Sequence, residues 1–288
     1  MIVVRLCGGL GNQLFQYAAG RRLALVRRTA LVLDLSWYAR TPSSDTSRVY
    51  QLSHYPIEAR PTTPDEALWC RLHQGRFLPR LPFLPRRWSH RREKSFEFDQ
   101  EVLGLQDNTY LDGYWQSYRY FQDIIDQIRT ELSPIAPFGP QDEKIAALIA
   151  EGDAVSVHVR RGDYVTHPAA AANHGLCSLD YYRTALARIS TQVERPNFFV
   201  FSDDLVWTRK NLKIPGPVTF VDHNGPDTAF QDLRLMSLCN HQIIANSSFS
   251  WWGAWLNQHH EKTVIAPQKW FANQRNTESL TPDDWTRL

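Results

Sequence analysis

With 288 residues, of which 43% are hydrophobic and 22% charged, the chain has an ordinary globular composition and room for one large or two smaller domains. A net charge of +2 argues against a nucleic-acid partner, and no run of roughly 18 apolar residues predicts a membrane span. The four cysteines are far apart and the amino terminus has no long apolar stretch, so we expect a cytoplasmic protein without a zinc site.

The first half opens as a βαβ unit, and its regular signals weaken between Thr41 and Ser95. Its predicted elements are strands over Ile2–Leu6 and Ala30–Leu35, a strand from Tyr110 that ends in a polar turn, and helices over Asn12–Arg28 and Gln122–Leu132.

The segment Pro134–Pro140 contains three prolines and a glycine, which is typical of a linker. Strands and helices then alternate regularly, which predicts a parallel sheet with helices on both faces. We therefore expect two Rossmann-like domains facing a cleft, over residues 1–140 and 141–288. The predicted strands of the second half cover Ala154–Val159, Asn197–Phe201, Val218–Val221, Gln242–Ala245 and Thr263–Ala266.

The first polar motif, Gly8–Gln13, joins a strand to a helix. Glycines such as Gly9 and Gly11 let the backbone approach a ligand closely, and a helix amino terminus favours an anion. The spacing matches neither the dinucleotide fingerprint nor a P-loop. A tight turn with Asn12 as helix N-cap is the alternative interpretation.

The second motif, His158–Val165, follows an apolar strand. The adjacent guanidinium groups of Arg160 and Arg161 can each bind two phosphate oxygens, and ligands bind at this edge of open α/β sheets. Asp163 could orient an arginine or accept a proton, and a plain surface ion pair is the alternative. His158 is expected either at the ligand edge or in the core.

Two further strand ends carry polar groups. Ser202, Asp203 and Asp204 follow one strand, and a carboxylate there can accept two hydrogen bonds from a guanine. The run Asn246–Phe249 offers hydroxyls and backbone N–H groups to a phosphate. Helix capping by Ser202 or Asp203 is the alternative for the first set, and a capping run without a ligand is the alternative for the second.

The chain contains no Asp-x-Asp triplet of the kind that holds a divalent metal in many sugar-nucleotide enzymes. Guanidinium groups would then have to neutralise a diphosphate leaving group. The sequence thus favours one anion-binding cluster built on three neighbouring strand ends.

Together these motifs resemble the bacterial α-1,2-fucosyltransferases, the family that also contains the animal H-antigen enzymes. The most specific segments are His-x-Arg-Arg-x-Asp in His158–Asp163 and Asn-Ser-Ser-Phe-Ser-Trp-Trp-Gly-Ala-Trp-Leu in Asn246–Leu256. Leu111–Ser117 and Ser178–Tyr182 extend the resemblance, which covers the chain from end to end and is weakest over Thr41–Arg92.

The resemblance implies a GT-B-like fold and an inverting, metal-independent transfer of L-fucose from GDP-β-L-fucose to the 2-hydroxyl of a terminal galactose, with no cofactor required. It places GDP-fucose in the second domain and the acceptor in the first. The implied donor-binding residues are His158, Arg160, Arg161, Ser202, Asp203, Asp204, Asn246, Ser247, Ser248, Phe249, Gly9 and Gly11.

Arg160 is expected to meet the β-phosphate, and Asn12 to lie beside the fucose. Asp163 is the first candidate for a general base, followed by His174 and Asp112, and a reaction without a single base stays open. The residues expected at the acceptor are Asp112, Trp115, Gln116, Tyr164 and His174. A transferase of other regiochemistry and a non-catalytic nucleotide-sugar-binding protein are the alternatives.

The stretch Arg76–Lys94 interleaves arginines with apolar residues. One interpretation is peripheral contact with the anionic inner face of a membrane, where lipid-linked acceptors such as O-antigen units would lie. The other is a solvated loop with a few buried anchors.

Overall fold

The computed structural model describes residues 1–40, 48–67, 89–166, 172, 175–272 and 276–288. The chain forms two compact units. The N-terminal unit comprises Met1–Ser133 and Glu278–Leu280, and the C-terminal unit comprises Pro134–Thr277 and Thr281–Leu288. The C-terminal unit therefore begins at the first proline of the proline-rich segment.

The N-terminal unit contains a parallel sheet in the order β3-β2-β1-β5-β4. Strands β1 and β5 are neighbours, so the glycine loop after β1 and the polar turn after β5 leave the same edge of the sheet. The elements are β1 (Ile2–Arg5), α1 (Leu10–Arg27), β2 (Leu31–Asp34), β3 (Arg60–Pro61), β4 (Ser89–Arg92), β5 (Thr109–Asp112) and α2 (Ile125–Glu131).

Strand β4 lies within the basic stretch, where the sequence predicts no strand. It is an edge strand of four polar residues, and among the described strands it pairs only with β5. Its Arg91 donates to Asp99 and to Glu101, the latter at 2.8 Å. Hydrophobic periodicity misses such a strand because a basic edge needs no apolar face. Residues 76–88 of the proposed membrane contact lie outside the described residues.

The C-terminal unit contains a second parallel sheet in the order β11-β10-β9-β6-β7-β8. Its elements are α3 (Pro140–Ala150), β6 (Ala154–Val159), α4 (Gly162–Thr166), α5 (Leu179–Gln192), β7 (Asn197–Ser202), α6 (Leu205–Asn211), β8 (Val218–Val221), α7 (Ala229–Leu238), β9 (His241–Ile243), α8 (Ser248–Leu256), β10 (Val264–Ala266) and β11 (Thr286–Arg287).

Helices cover both faces of this sheet, as the regular alternation predicts. Along β7, Phe198 and Val200 pack with residues of α5, whereas Phe199 and Phe201 pack with residues of α7 on the other face. A parallel strand that is buried on both faces reads as a continuous apolar run. None of the helices in the described part of the chain combines the length and apolarity needed to cross a bilayer.

Candidate functional site

The three polar motifs of the C-terminal unit meet at one edge of its sheet. Strand β6 lies between β7 and β9. Arg160 follows β6, Asp203 follows β7 and Ile244 follows β9, so all three motifs lie at the carboxyl ends of these strands. This is the edge where open α/β sheets bind ligands.

Arg160 is held from two sides just beyond β6. Its Nη1 lies 2.8 Å from Oδ2 of Asp203, and its guanidinium carbon lies 5.5 Å from the ring centre of Tyr164. The side chain is about one-fifth exposed, with a relative area of 21%. A partly desolvated guanidinium with an aromatic and a carboxylate neighbour has a defined direction, which is what recognition of an anion needs.

Asp203 also fixes the turn that carries this arginine. Its Oδ1 accepts a hydrogen bond of 2.7 Å from the backbone N–H of Arg161. A Cβ added to Gly162 would stand 2.6 Å from Asp203 Oδ2, so a larger residue here would displace this carboxylate. The sequence suggests Asp203 as a guanosine ligand, and in this structure it is the partner of Arg160.

Arg161 and Asp204 form the second ion pair of this edge. Arg161 Nε lies 3.2 Å from Asp204 Oδ2, and its guanidinium carbon stacks 3.6 Å from the ring centre of Trp207. Asp204 Oδ1 accepts from the backbone N–H of Trp207 at 3.1 Å and so caps α6. Ser202 Oγ accepts from the N–H of Asp204 at 3.0 Å. The helix cap is therefore Asp204, and the alternative that Ser202 or Asp203 caps this helix is wrong.

His158 lies at the end of β6 and is 5% exposed. Its ring centre is 5.8 Å from that of Phe249, and its Nδ1 has no hydrogen-bond partner among the described residues. Burial lowers the pKa of His158 to about 4, so the imidazole is neutral near pH 7. A buried polar atom without a partner is uncommon in a core and suits a place where a ligand can supply one.

Asn246 is buried at this edge and is held by several neighbouring segments. It is 3% exposed, and its amide donates to the carbonyls of Gly175 at 3.3 Å and Trp270 at 3.2 Å. Its Oδ1 accepts from the thiol of Cys177, and its carbonyl accepts from the Tyr164 hydroxyl. Asn246 thus ties together the segments around the edge.

The amino terminus of α8 carries Ser247 and Ser248. Ser247 is the N-cap, and its hydroxyl accepts from the N–H of Phe249 at 3.3 Å. Ser248 is the first helical residue and is partly exposed, as is Phe249. The cap formed by Ser247 uses the N–H of Phe249, so anion binding at this terminus would depend on the other N–H groups of the first turn.

At the edge of the N-terminal sheet, Gly9 and not Asn12 is the N-cap of α1. The N-cap interpretation of Asn12 is therefore wrong, because the helix begins at Leu10 and places Asn12 in its first turn. Gly8 has a φ of +78°, and a Cβ there would stand 2.5 Å from Asn12 Nδ2. Gly11 is buried within α1.

The turn after β5 brings Gln116 to Asn12. Gln116 Nε2 donates to Asn12 Oδ1 at 2.7 Å. Trp115, expected at the acceptor, is 1% exposed and packs edge-on against Tyr120. The geometry therefore connects two predicted site residues, Asn12 and Gln116, and places Trp115 beneath the surface.

Asp112 ends β5 and lies between two basic groups. Its Oδ1 is 2.9 Å from Arg5 Nη1, and its Oδ2 is 3.7 Å from His90 Nε2. The nearby His90 and Arg5 lower the pKa of Asp112 to about 2. Such a carboxylate is a poor proton acceptor near neutral pH.

Glu93 contacts the turn that carries Gln116, and sequence reasoning did not single it out. It follows β4 and accepts hydrogen bonds from the backbone N–H groups of Tyr114 at 2.7 Å and Trp115 at 2.9 Å. Burial raises the pKa of Glu93 to about 7. The only sequence signal is an acidic residue just after a strand, and that strand is itself hidden in the basic stretch.

The structure does not describe the side chains of two predicted site residues. His174 and the side chain of Asp163 lie outside the described residues, although the backbone of Asp163 belongs to α4. Tyr164, expected at the acceptor, is 8% exposed and lies against Arg160. No group of three His, Cys, Asp or Glu side chains in the described ranges could hold a metal ion.

The family model of glycosyl transferase family 11 matches residues 82–288, which include every motif of the C-terminal edge. The chain belongs to glycosyltransferase family 11. It is 32% identical over 302 residues to an alpha-1,2-colitosyltransferase of Escherichia coli, covering 100% of this chain and 99% of that protein.

Two other family 11 comparisons are informative. The chain is 33% identical to the O-antigen biosynthesis glycosyltransferase WbnK of Escherichia coli, over 98% of this chain and 99% of the relative. It is 28% identical to galactoside alpha-(1,2)-fucosyltransferase 1 of Homo sapiens, over 86% of this chain and 63% of the relative.

Among solved structures, the FUT1 protein of Arabidopsis thaliana in complex with GDP aligns with a TM-score of 0.52 and 11% identity, over 98% of this chain and 74% of that chain. This likeness concerns the fold. The expected α/β class of GT-B type, with two Rossmann-like units, is confirmed, and so is the expectation that this family 11 chain is a glycosyltransferase.

Proposed function

We propose that this family 11 glycosyltransferase transfers L-fucose from GDP-β-L-fucose to the 2-hydroxyl of a terminal galactose, with inversion and without a metal ion. The observation that carries the proposal is the guanidinium of Arg160, aimed by Asp203 and Tyr164 at the ligand edge of the C-terminal sheet. The α-1,2 linkage in the names of the bacterial and human relatives supports the regiochemistry.

The proposed reaction is a displacement at the anomeric carbon. The acceptor hydroxyl attacks from the face opposite to GDP, so the C1–O bond to the β-phosphate breaks as the new C1–O bond forms. The transition state resembles an oxocarbenium ion while negative charge grows on the β-phosphate. A positioned Arg160 stabilises that charge more in the transition state than in the ground state.

The other donor contacts follow the family resemblance. The N–H groups and hydroxyls of Ser247 and Ser248 would assist at the phosphates, because a helix amino terminus favours an anion. His158 is proposed to meet the guanosine, where its unpartnered Nδ1 would gain a hydrogen bond. Asp203 and Asp204 support the site through their ion pairs with Arg160 and Arg161. Asn12 is proposed to lie beside the fucose.

The general base is proposed to be Asp163. Asp112 is a weaker candidate because its lowered pKa makes it a poor base. Asp163→Asn should then lower the rate of transfer without weakening GDP binding, measured by isothermal titration calorimetry. An unchanged rate would leave the reaction without a need for this base.

The relatives suggest GDP-colitose as a second possible donor. Colitose is fucose without its 3-hydroxyl, and one relative is a colitosyltransferase. A site that hydrogen-bonds a hydroxyl rejects the analogue that lacks it by several orders of magnitude, about 10⁴-fold or more. Comparing kcat/KM for GDP-fucose and GDP-colitose therefore separates the two donors.

The decisive experiment is transfer of radiolabelled fucose from GDP-fucose to lactose, with the product linkage read by NMR. An α-1,2 product that forms equally well with EDTA supports the proposal. An α-1,6 product indicates other regiochemistry, GDP binding without transfer indicates a binding protein, and a strict need for added magnesium or manganese contradicts the metal-independent mechanism.

A peripheral membrane contact through Arg76–Lys94 is proposed as the route to lipid-linked acceptors. Sedimentation with anionic liposomes tests it, since binding should be lost at high salt. A protein that stays in the supernatant at low salt has no such contact.

A further inference from the structure

The loop after β5 has an unusual backbone at Trp115, whose φ is +55°. A bulky residue in this left-handed region is strained and persists only when its surroundings impose it. Trp115 is buried against Tyr120, so its ring contributes to that restraint. The backbone N–H groups of this loop also need a hydrogen-bond acceptor.

Glu93 is that partner. Its two carboxylate oxygens accept separately from the N–H groups of Tyr114 and Trp115, and its own N–H donates to the carbonyl of Asp112 at 2.9 Å. Gly113 completes the fit, because a Cβ there would collide with Glu93 Cβ and stand 2.9 Å from its Oε2. The Glu93 side chain therefore binds two successive N–H groups of the loop, and the Glu93 backbone binds the residue just before it.

The residue that this loop delivers is Gln116. It is 8% exposed, and its amide donates to Asn12 Oδ1 at 2.7 Å. The Asn12 amide thus has a defined orientation, with its oxygen toward Gln116 and its nitrogen beside Gly8. A shift of the loop would move Gln116 and release this orientation.

We propose that Glu93 is a positioning residue, which clamps the loop Gly113–Gln116 so that Gln116 orients the side chain of Asn12. The effect on turnover rests on the proposed function, since Asn12 is placed beside the transferred sugar there. The clamp itself is a property of the N-terminal unit and can be tested without any substrate.

The first test is hydrogen exchange of the segment 112–118, followed by mass spectrometry. Glu93→Ala should speed exchange at the amides of Tyr114 and Trp115, because their acceptor is gone, while peptides of the C-terminal unit stay unchanged. Glu97→Gln, on the same segment and without a bond to the loop, is the matched control. Unaltered exchange in the loop of a folded Glu93→Ala variant would overturn the clamp.

The second test is a double-mutant cycle on kcat with GDP-fucose and lactose. Glu93→Ala and Gln116→Ala should each lower kcat about 10-fold, the effect of roughly one lost hydrogen bond. Because both residues act through the orientation of Asn12, the double variant should be no more than about 2-fold slower than the slower single variant. Multiplied effects would contradict the proposal.

Conservative variants separate positioning from proton transfer. Glu93→Gln keeps one acceptor oxygen and should lie between wild type and Glu93→Ala, whereas a general base would lose as much activity with glutamine as with alanine. Gln116→Glu can only accept, so it forces the Asn12 amide to turn over and should be as slow as Gln116→Ala. Wild-type activity of Gln116→Glu would refute the orientation.

Failure of the proposed function gives a different pattern. A wild-type protein that does not transfer fucose, combined with faster loop exchange in Glu93→Ala, rejects the fucosyltransferase and keeps the clamp. An active wild type with an unaffected Glu93→Ala rejects the clamp and keeps the fucosyltransferase.

Discussion

The two sheet edges of this protein hold the residues proposed to meet the ligands by different kinds of hydrogen bond. At the edge of the C-terminal sheet, Arg160 and Arg161 pair with two consecutive carboxylates, Asp203 and Asp204. At the edge of the N-terminal sheet, the bond that reaches Asn12 joins two neutral amides. Paired charges suit an anionic ligand, and amides suit sugar hydroxyls, so the difference parallels the proposed division into a donor and an acceptor side.

The largest expected effect is that of replacing Arg160 at the edge of the C-terminal sheet. Arg160→Ala should lower kcat about 100-fold or more, because a donor that faces the leaving group is worth roughly 3 kcal/mol in the transition state. Arg160→Lys should also fail, since an ammonium cannot fork. Transfer assays on both variants, with Arg183→Ala on the exposed face of α5 as control, give the answer. Wild-type turnover in Arg160→Ala would remove the centre of the mechanism.

A smaller loss is expected at Asp203. Asp203→Ala leaves the charge of Arg160 but removes its partner and the acceptor for the Arg161 N–H, so kcat should fall about 10-fold. Asp203→Asn retains an acceptor and should fall less. Should both variants bind GDP normally and turn over at the wild-type rate, the ion pair would have no role in aiming Arg160.

Gly162→Ala tests the position of the Asp203 carboxylate through the backbone that passes it. The added methyl group meets the carboxylate of Asp203, and we expect a loss of activity of about 3-fold to 10-fold through displacement of that group. Gly152→Ala, where nothing lies within reach of a Cβ, is the matched control. Equal kinetics for the two variants would show that the turn adapts at no cost.

The smallest expected effect concerns His158 and stability. Its folded-state pKa of about 4 lies below the ordinary value of 6.5. The unfolded state therefore binds the proton more readily than the folded state. The contribution of His158 to the free energy of unfolding is fully present above pH 6.5 and is lost as the pH falls toward 4. Urea unfolding measures the free energy of unfolding at pH 7.5 and at pH 5.0. The decrease in this free energy between the two pH values should be smaller for His158→Gln than for wild type. An identical decrease would mean that His158 does not titrate in this way.

The sequence predicts most of the C-terminal unit well. Strands such as Ala154–Val159 and Val218–Val221 have the predicted bounds because each is an apolar run between turn signals. The N-terminal unit is predicted less completely. Strand β4 was missed, and α1 begins two residues earlier than expected, at Leu10, since a glycine N-cap gives no polar signal.

The sequence by itself determined the family, the α/β class and the strand ends at which polar residues gather, because these properties reside in local patterns of residues. Only the tertiary structure decided that Asp203 pairs with Arg160, that Asn246 ties loops together, and that Glu93 meets the backbone of Tyr114 and Trp115. Each of these contacts joins segments that are distant in the chain. Their partners are set by the order of strands in a sheet, which no local periodicity encodes.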